Sequence, residues 1–156
     1  MILFLDFDGV LHPEPCIEHG QFFHVRKFER WLRTHAEIEV VISSSWRNQV
    51  PWLEIVDRFS PDIQARIVGR TPSRLQIVSS LVPAEVLIYK REAEIFEWRR
   101  TQGRLSDAWI AVDDIPSWFS PGCANLMLID PATGITEGDL AALSKRVDDI
   151  IEGRKT

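Results

Sequence analysis

The chain has 156 residues, which suits one domain that can fold without disulfide or metal staples. Its net charge of −5 excludes a basic whole-chain surface for nucleic acid. No apolar run approaches the roughly 20 residues of a membrane helix, so we expect no membrane partner. The two cysteines, Cys16 and Cys123, make neither a disulfide framework nor a zinc site. The apolar start runs into Asp6 without a basic leader, and we therefore expect a cytoplasmic protein.

The first half of the chain alternates apolar runs with amphipathic segments. Residues 2–5 predict a buried strand, and residues 9–23, with Gly and Pro, predict a loop or flap. Three apolar residues at helical spacing predict a helix that ends near His35: Val25, Phe28 and Leu32. Residues 40–42 predict a second buried strand. A helix with Trp52, Val56 and Phe59 on one face is predicted to stop before Pro61.

The second half continues this alternation. Residues 67–68 predict a weak third strand, and residues 71–83 predict a loop with at most one helical turn. A helix is predicted over residues 91–100, and strands over 109–112 and 126–129. Thr136 and Asp139 resemble a helix start, and four apolar residues then line the final helix: Leu140, Leu143, Val147 and Ile151.

Strands that alternate with helices predict an α/β fold of the three-layer αβα, Rossmann-like kind. We expect a single domain over residues 1–156 with a parallel sheet covered on both faces. Residues 9–25 are too few for a helical cap domain, and residues 46–89 look committed to core elements. We therefore predict no substantial cap and an open site at the carboxyl ends of the strands.

Acidic and hydroxyl residues follow three of the predicted strands. These runs are Asp6-Phe7-Asp8-Gly9, Ser43-Ser44-Ser45 and Asp113-Asp114. If the strands are neighbours, carboxylates about 4 Å apart repel by roughly 4 kcal/mol, so some stay protonated or a divalent cation sits among them. All-oxygen ligands favour Mg²⁺. The alternative is that Asp113 and Asp114 are helix-capping or surface residues.

A cation near these acids is expected at the start of the helix over residues 91–100. Lys90 can neutralise phosphate oxygens there or hold a nucleophilic carboxylate ionised, and Arg91 is the fallback for the same role. The alternative for Lys90 is an ordinary solvated surface position, which is the commoner fate of lysine.

In this order, the residues resemble the haloacid dehalogenase (HAD)-like phosphatase superfamily. The matching features are Asp6-Phe7-Asp8-Gly9, Ser43 with Ser44 adjacent, Lys90, and Asp113-Asp114. Within the superfamily, residues 8–13 and 42–47 look like the capless HAD domain of Swiss Army Knife RNA repair proteins.

The resemblance implies a phosphatase mechanism with an aspartyl-phosphate intermediate. Asp6 would attack the phosphoryl group, and Asp8 would protonate the leaving oxygen and then activate water. Ser43 and Lys90 would bind the phosphoryl oxygens.

The resemblance also implies a Mg²⁺ site. The ion would be held by Asp6, the backbone carbonyl of Asp8, Asp113, and Asp114 directly or through water. Gly9 would allow a sharp turn beside the site.

An open site suits a bulky phosphorylated substrate, such as a nucleic-acid or nucleotide phosphate end. On this reading Gly9, Ser44 and Arg47 would contact the substrate, Arg47 at a second phosphate, and Trp46 would stack a base. Trp46 and Arg47 each have a plainer alternative: Trp46 in the core and Arg47 paired with a surface acid. His12 could touch the leaving group or be a flap residue without a catalytic role. Trp118, near the acid pair, has the same two alternatives.

Other functions are compatible with part of the pattern. A phosphoprotein phosphatase and a phosphate-binding regulatory module without turnover both fit the same motifs. A nucleic-acid cleavage domain with clustered acids would not need Asp6 as a covalent nucleophile. A receiver domain is disfavoured, because there the acid pair comes early and the phosphorylated Asp ends a middle strand. The sequence gives no oligomeric state.

Overall fold

Five short strands form one parallel sheet. The computed structural model describes residues 1–16 and 20–153 of the chain. The strands are β1 (Ile2–Leu5), β2 (Glu39–Ile42), β3 (Ile67–Arg70), β4 (Trp109–Asp113) and β5 (Leu126–Leu128). Their order across the sheet is β3-β2-β1-β4-β5, with every neighbouring pair parallel. The predicted parallel sheet is confirmed.

Strand β1 lies at the centre of the sheet and is buried along its whole length. It is continuously apolar because both of its faces are covered. Leu5 is in register with Ile42 on one side and with Val112 on the other. The residues that follow these three therefore meet at one edge of the sheet: Asp6, Ser43 and Asp113.

Six α-helices in the described part of the chain flank the sheet. They are α1 (Val25–Arg33), α2 (Trp52–Val56), α3 (Pro61–Gln64), α4 (Ala84–Leu87), α5 (Lys90–Thr101) and α6 (Glu137–Glu152). Leu3 and Leu5 pack in one core cluster with side chains of α1 and α6. Phe4 on the opposite face packs with Ile95 and Trp98 of α5. Helices thus cover both faces, as the αβα prediction requires.

Proline explains one difference from the predicted elements. The helix predicted to run through Phe59 ends at Val56, and Pro61 begins the separate helix α3 rather than only stopping its predecessor. Proline suits the first helical turn, where its missing N–H would have no intrahelical partner.

Residues 71–89 differ more from the prediction. They contain two 3₁₀ turns, Arg74–Gln76 and Ser79–Leu81, and then α4, which the sequence did not predict. These turns carry exposed apolar side chains, including Leu75, so the segment is less committed to the core than expected. It forms no cap domain, and the prediction of a capless fold is confirmed. Among the described residues, no helix has the length and apolar composition that a membrane crossing requires.

Candidate active site

Three carboxylates converge at the carboxyl edge of the sheet. Asp6 follows β1, Asp113 ends β4, and Asp114 comes next along the chain. Oxygens of the three groups lie within 4.8 Å of one another. Asp6 and Asp113 are buried and Asp114 is half-buried. The shared register of β1 and β4 produces this convergence, since it places Asp6 beside Asp113.

A buried arginine lies among these acids. Arg91, in the first turn of α5, has 1% of its surface exposed. Its Nε donates to Asp113 Oδ2 at 2.9 Å, and Nη2 lies 3.4 Å from Asp6 Oδ2. Nη1 donates to the backbone carbonyl of Ser43 and lies 3.2 Å from Glu94 Oε2. Burial acts to lower the pKa of Arg91, but Asp6, Asp113 and Glu94 raise it above the ordinary value. The guanidinium therefore links β1, β2 and β4.

The acid pair after β4 holds protons more tightly than ordinary carboxyl groups. Burial, followed by the charge of Asp6, raises the pKa of Asp113 to about 7, although Arg91 acts in the opposite direction. The same two causes raise the pKa of Asp114 to about 6. Even with Arg91 present, burial and the charge of Asp6 therefore disfavour the ionised forms of Asp113 and Asp114.

Gly9 permits the close approach of Asp114. A Cβ atom at this position would lie 2.4 Å from Asp114 Oδ2, and the residue has φ of +65°. Both facts require glycine: the backbone is left-handed, and a side chain would displace the carboxylate. The role observed for Gly9 is thus to make room for an acid of the site, in addition to the sharp turn expected.

The Asp8 carboxylate is separate from the three-acid cluster. It accepts the Trp46 indole N–H at 2.9 Å to Oδ1 and 3.0 Å to Oδ2, and His12 Nε2 lies 3.0 Å from Oδ1. The hydrogen bond from His12 is the main cause that lowers the pKa of Asp8, burial opposes it, and Trp46 adds to the lowering. The Asp8 carboxylate is therefore not one of the three that could together hold a metal ion. The ligand that the resemblance implies at this position is the backbone carbonyl of Asp8.

Ser43 and Ser44 follow β2 and are both buried. The Ser43 backbone N–H continues the sheet by donating to the Leu5 carbonyl at 2.9 Å. Ser44 Oγ accepts the backbone N–H of Trp46 at 3.4 Å and so caps the 3₁₀ turn Ser45–Asn48. Accepting this N–H leaves the O–H of Ser44 as a donor, so the cap does not separate Ser44 from Ser43 as a contact for a phosphoryl oxygen.

Arg47 does not have the surroundings expected of a substrate contact. Its side chain is 1% exposed and pairs with the equally buried Glu94 at 2.7 Å. It also donates to four backbone carbonyls, those of Ser43, Ser44, Thr71 and Pro72. With its donors committed to these partners, Arg47 holds the chain after β2 against the chain after β3. It pairs with an acid, as the alternative expected, but that acid is buried and not at the surface.

The Lys90 ammonium lies over the ring of Trp118. It is 4.1 Å from the ring centre, and the Arg91 guanidinium lies 4.8 Å from the same ring. Since Arg91 contacts Asp6 and Asp113, the geometry favours the fallback, Arg91, over Lys90 for the basic role. The Trp118 ring therefore packs against both cations at the border of the site.

The residues present fit a divalent cation. Three carboxylates face one guanidinium, two of the acids have raised pKa values, and hard carboxylate oxygens are the ligands that Mg²⁺ prefers. A cation at this position would offset the two causes that raise both pKa values, which are burial and then the charge of Asp6. Asp6, Asp113 and Asp114 are the side chains able to hold it.

This fold and this edge of the sheet define the class of HAD-like α/β proteins. The family model for the HAD domain in Swiss Army Knife RNA repair proteins matches residues 2–140, and the chain belongs to this family. No curated protein and no solved structure gives a significant match. Membership suggests a hydrolase of phosphate esters.

Sequence reasoning missed the role of Glu94 and the partners of Asp8. Glu94 is buried between Arg47 and Arg91, and its place three residues after Arg91 in a helix was the available signal. Trp46 and His12 were noticed, but their contact with Asp8 depends on how the segments fold together. No local spacing could have shown that contact for Trp46, 38 residues away from Asp8.

Proposed function

We propose that this protein is a Mg²⁺-dependent phosphohydrolase that works through an aspartyl-phosphate on Asp6. The observation that carries the proposal is the convergence of Asp6, Asp113 and Asp114 within 4.8 Å, at the carboxyl ends of adjacent parallel strands. Bound there, Mg²⁺ would neutralise phosphoryl oxygens and the acids that hold it. The family match supports the same chemistry.

The first step is attack by an Asp6 carboxylate oxygen on phosphorus. Asp6 Oδ1 accepts the Phe7 backbone N–H at 2.8 Å, and Oδ2 faces Arg91, so the side chain is held on both sides. As the new O–P bond forms, the bond from phosphorus to the leaving oxygen breaks. The leaving oxygen keeps that electron pair and takes a proton from Asp8, which must be in its protonated form for this step although the hydrogen bond from His12 lowers its pKa.

The second step removes the phosphoryl group from Asp6. Water attacks phosphorus and gives a proton to the Asp8 carboxylate, and the Asp6 oxygen departs with its electron pair. Asp8 is then protonated for the next cycle. The Ser43 hydroxyl stabilises the charge on the transferring group, while Arg91 balances the carboxylates of Asp6 and Asp113. Lys90, which the resemblance assigns to the phosphoryl oxygens, instead supports the site through Trp118.

The proposed substrate is the phosphate end of a nucleic acid or nucleotide. Two observations support a large substrate: no cap domain is inserted in the described part of the chain, and the family is that of RNA repair proteins. A panel of 3′- and 5′-phosphorylated oligonucleotides, mononucleotides, sugar phosphates and phosphopeptides tests this. We expect turnover to be highest on the oligonucleotides; a clear preference for sugar phosphates or phosphopeptides would contradict the substrate class.

Asp6→Asn tests the covalent mechanism. We expect Mg²⁺-dependent hydrolysis to fall by at least about 1,000-fold, because a carboxamide is a poor nucleophile. Asp148→Asn, the same change at an exposed position of α6, is the matched control and should keep full activity. Beryllium fluoride should form an adduct on Asp6 in the unchanged chain. Full-rate hydrolysis by Asp6→Asn would rule the mechanism out.

A further inference from the structure

Two ring N–H groups hold the carboxylate of Asp8. The Trp46 indole Nε1 lies 2.9 Å from Oδ1 and 3.0 Å from Oδ2, and His12 Nε2 lies 3.0 Å from Oδ1. Both rings reach Asp8 from outside β1: His12 from the loop after it and Trp46 from the 3₁₀ turn after β2. The contacts join this carboxylate to two separate segments of the chain.

The backbone of Phe22 fixes which nitrogen of His12 carries the proton. The Phe22 N–H lies 3.3 Å from His12 Nδ1, and a backbone N–H can only donate, so Nδ1 accepts. In the neutral ring the proton is then on Nε2, which donates to Asp8. Phe22 adopts φ of +59°, a left-handed conformation that is unfavourable for a residue with a side chain. The fold accepts this strain at the residue that orients His12.

Aromatic neighbours fix the plane of the Trp46 indole. It meets Phe7, Phe22 and His12 edge-on, with ring centres 6.3, 5.1 and 6.2 Å away and interplanar angles of 71°, 88° and 65°. Contacts of this kind restrict rotation of the indole. Its N–H is therefore directed at Asp8 by the packing of the rings.

The two oxygens of Asp8 are not equivalent. Oδ1 accepts from both His12 Nε2 and Trp46 Nε1. In the described part of the chain, Oδ2 accepts from Trp46 Nε1 alone, at 3.0 Å. A hydrogen-bonded oxygen is less available for proton transfer. We propose that Trp46 and His12 are positioning residues, which hold Asp8 so that Oδ2 is directed at the leaving-group oxygen. This inference rests on the proposed function.

The proton then moves through Oδ2 in both half-reactions. In the first, the Oδ2–H bond breaks and the proton goes to the departing oxygen, which keeps the electron pair of the P–O bond. In the second, Oδ2 takes a proton from the attacking water. Neither Trp46 nor His12 gains or loses a proton, so each acts only through Asp8.

Leaving-group dependence separates positioning from a general structural role. A poor leaving group, such as the alcohol of a phosphorylated oligonucleotide, needs a proton, whereas 2,4-dinitrophenolate does not. We expect Trp46→Phe and His12→Leu each to lower kcat/KM about 10-fold on the oligonucleotide and less than 3-fold on dinitrophenyl phosphate. His12→Gln, which keeps a donor near Nε2, should recover part of the loss. Trp52→Phe, at a partly buried tryptophan packed against the same core, is the matched control.

A double-mutant cycle strengthens this test. In the Asp8→Asn background, Trp46→Phe should change kcat/KM less than 2-fold, because the group it positions is already absent. Equal losses on both substrates, or losses that multiply with Asp8→Asn, would overturn the inference. If such results came with inactive Asp6→Asn and a beryllium fluoride adduct on Asp6, the proposed function would still stand.

An NMR measurement tests the contact independently of turnover. Trp46→Phe identifies the Trp46 signal among the six tryptophan indole N–H resonances. In the unchanged chain we expect that signal to lie downfield, as for an N–H bound to a carboxylate, and to move upfield in Asp8→Asn. A signal that Asp8→Asn leaves in place would refute the positioning role, whatever the activity measurements give.

Discussion

At the scale of single residues, the first turn of α5 decides which cation enters the site. Consecutive residues of a helix point about 100° apart, so Lys90 and Arg91 cannot both face the sheet. Arg91 shares the buried side of α5 with Glu94, Ile95 and Trp98, which follow it at helical spacing. Motif order identified this helix start, but the side of the helix that faces the acids depends on packing.

Replacing these two cations should have different consequences. Arg91→Met leaves Asp6 and Asp113 without a buried cationic partner and leaves Glu94 with Arg47 alone, and we expect it to lower the free energy of unfolding by about 3 kcal/mol without divalent cation. Lys90→Met, the matched control, removes a contact with Trp118 and should lower it by less than about 1 kcal/mol. Urea unfolding measures both, and equal losses would contradict the assignment of Arg91.

Glycine at position 9 offers a second test at this scale. Gly9→Ala introduces left-handed strain and a clash with Asp114, while Gly103→Ala, at φ +66° with no atom within 4 Å of the new Cβ, introduces the strain alone. We expect a loss of about 1 kcal/mol for Gly103→Ala and a further loss of about 1–3 kcal/mol for Gly9→Ala. Only Gly9→Ala should weaken stabilisation by Mg²⁺. Thermal unfolding with and without the ion measures this, and equal Mg²⁺ responses would refute the role of Gly9.

At the scale of elements, helix boundaries with their own chemical signal were predictable. Thr136 Oγ1 accepts the backbone N–H of Asp139 at 3.1 Å, and the Asp139 carboxylate accepts the Thr136 N–H at 2.8 Å. This reciprocal cap at the start of α6 was read from the sequence, together with the buried face of the helix. The final helix is therefore specified locally.

Removal of this cap should destabilise the protein moderately. Thr136→Ala leaves the Asp139 N–H without its acceptor, and we expect the free energy of unfolding to fall by about 1 kcal/mol. Thr136→Ser keeps the hydroxyl, so its free energy of unfolding should fall by less than that of Thr136→Ala. Chemical unfolding of the three chains checks this, and a loss for Ser as large as that for Ala would argue against the hydroxyl as the cause.

Elements without such signals were less predictable. Strand positions followed from apolar runs, and the edge that carries the acids followed from the rule for parallel sheets. Residues 71–89 lack a clear period: Leu75 and Ile88 are apolar yet exposed, so hydrophobicity alone gave no reliable guide. The arrangement around Asp8 was also beyond prediction, because it joins segments that meet only in the folded chain.

At the scale of the whole molecule, the sheet concentrates negative charge at one edge. Three of its five strands bring carboxylates, hydroxyls or paired arginines to that edge: β1, β2 and β4. The chain after β3 adds the backbone carbonyls of Thr71 and Pro72, which accept from Arg47. The pKa values of Asp113 and Asp114 are raised there to about 7 and about 6. Stability is therefore linked to both pH and divalent cations.

The sign of the pH dependence follows from these values. Between pH 4 and pH 7 the folded chain holds protons on Asp113 and Asp114 that the unfolded chain releases, so both groups make stability fall as pH rises. Buried His24, whose pKa is lowered, acts in the opposite direction. Both the unchanged chain and Asp114→Asn contain His24, so its contribution to stability cancels when the two chains are compared. We expect the unchanged chain, free of metal, to lose more stability over this range than Asp114→Asn; an equal loss would contradict the raised pKa of Asp114.

Mg²⁺ should reverse this trend, because it binds the ionised carboxylates. At saturating Mg²⁺, the ion should raise the melting temperature of the unchanged chain more at pH 8 than at pH 5. In Asp114→Asn the rise should be smaller than in the unchanged chain at both pH values. Ca²⁺ at equal concentration tests selectivity for the smaller ion. A Mg²⁺ effect independent of pH would place the ion somewhere other than among these acids.

The position of Trp118 has a practical consequence. Its ring lies against Lys90 and Arg91, and Arg91 in turn contacts Asp6 and Asp113. Nearby charge alters indole fluorescence, so the light that this side chain emits will depend on what occupies the acids. The protein thus contains an intrinsic optical probe of its own site, and ligand titrations can be followed without an attached dye.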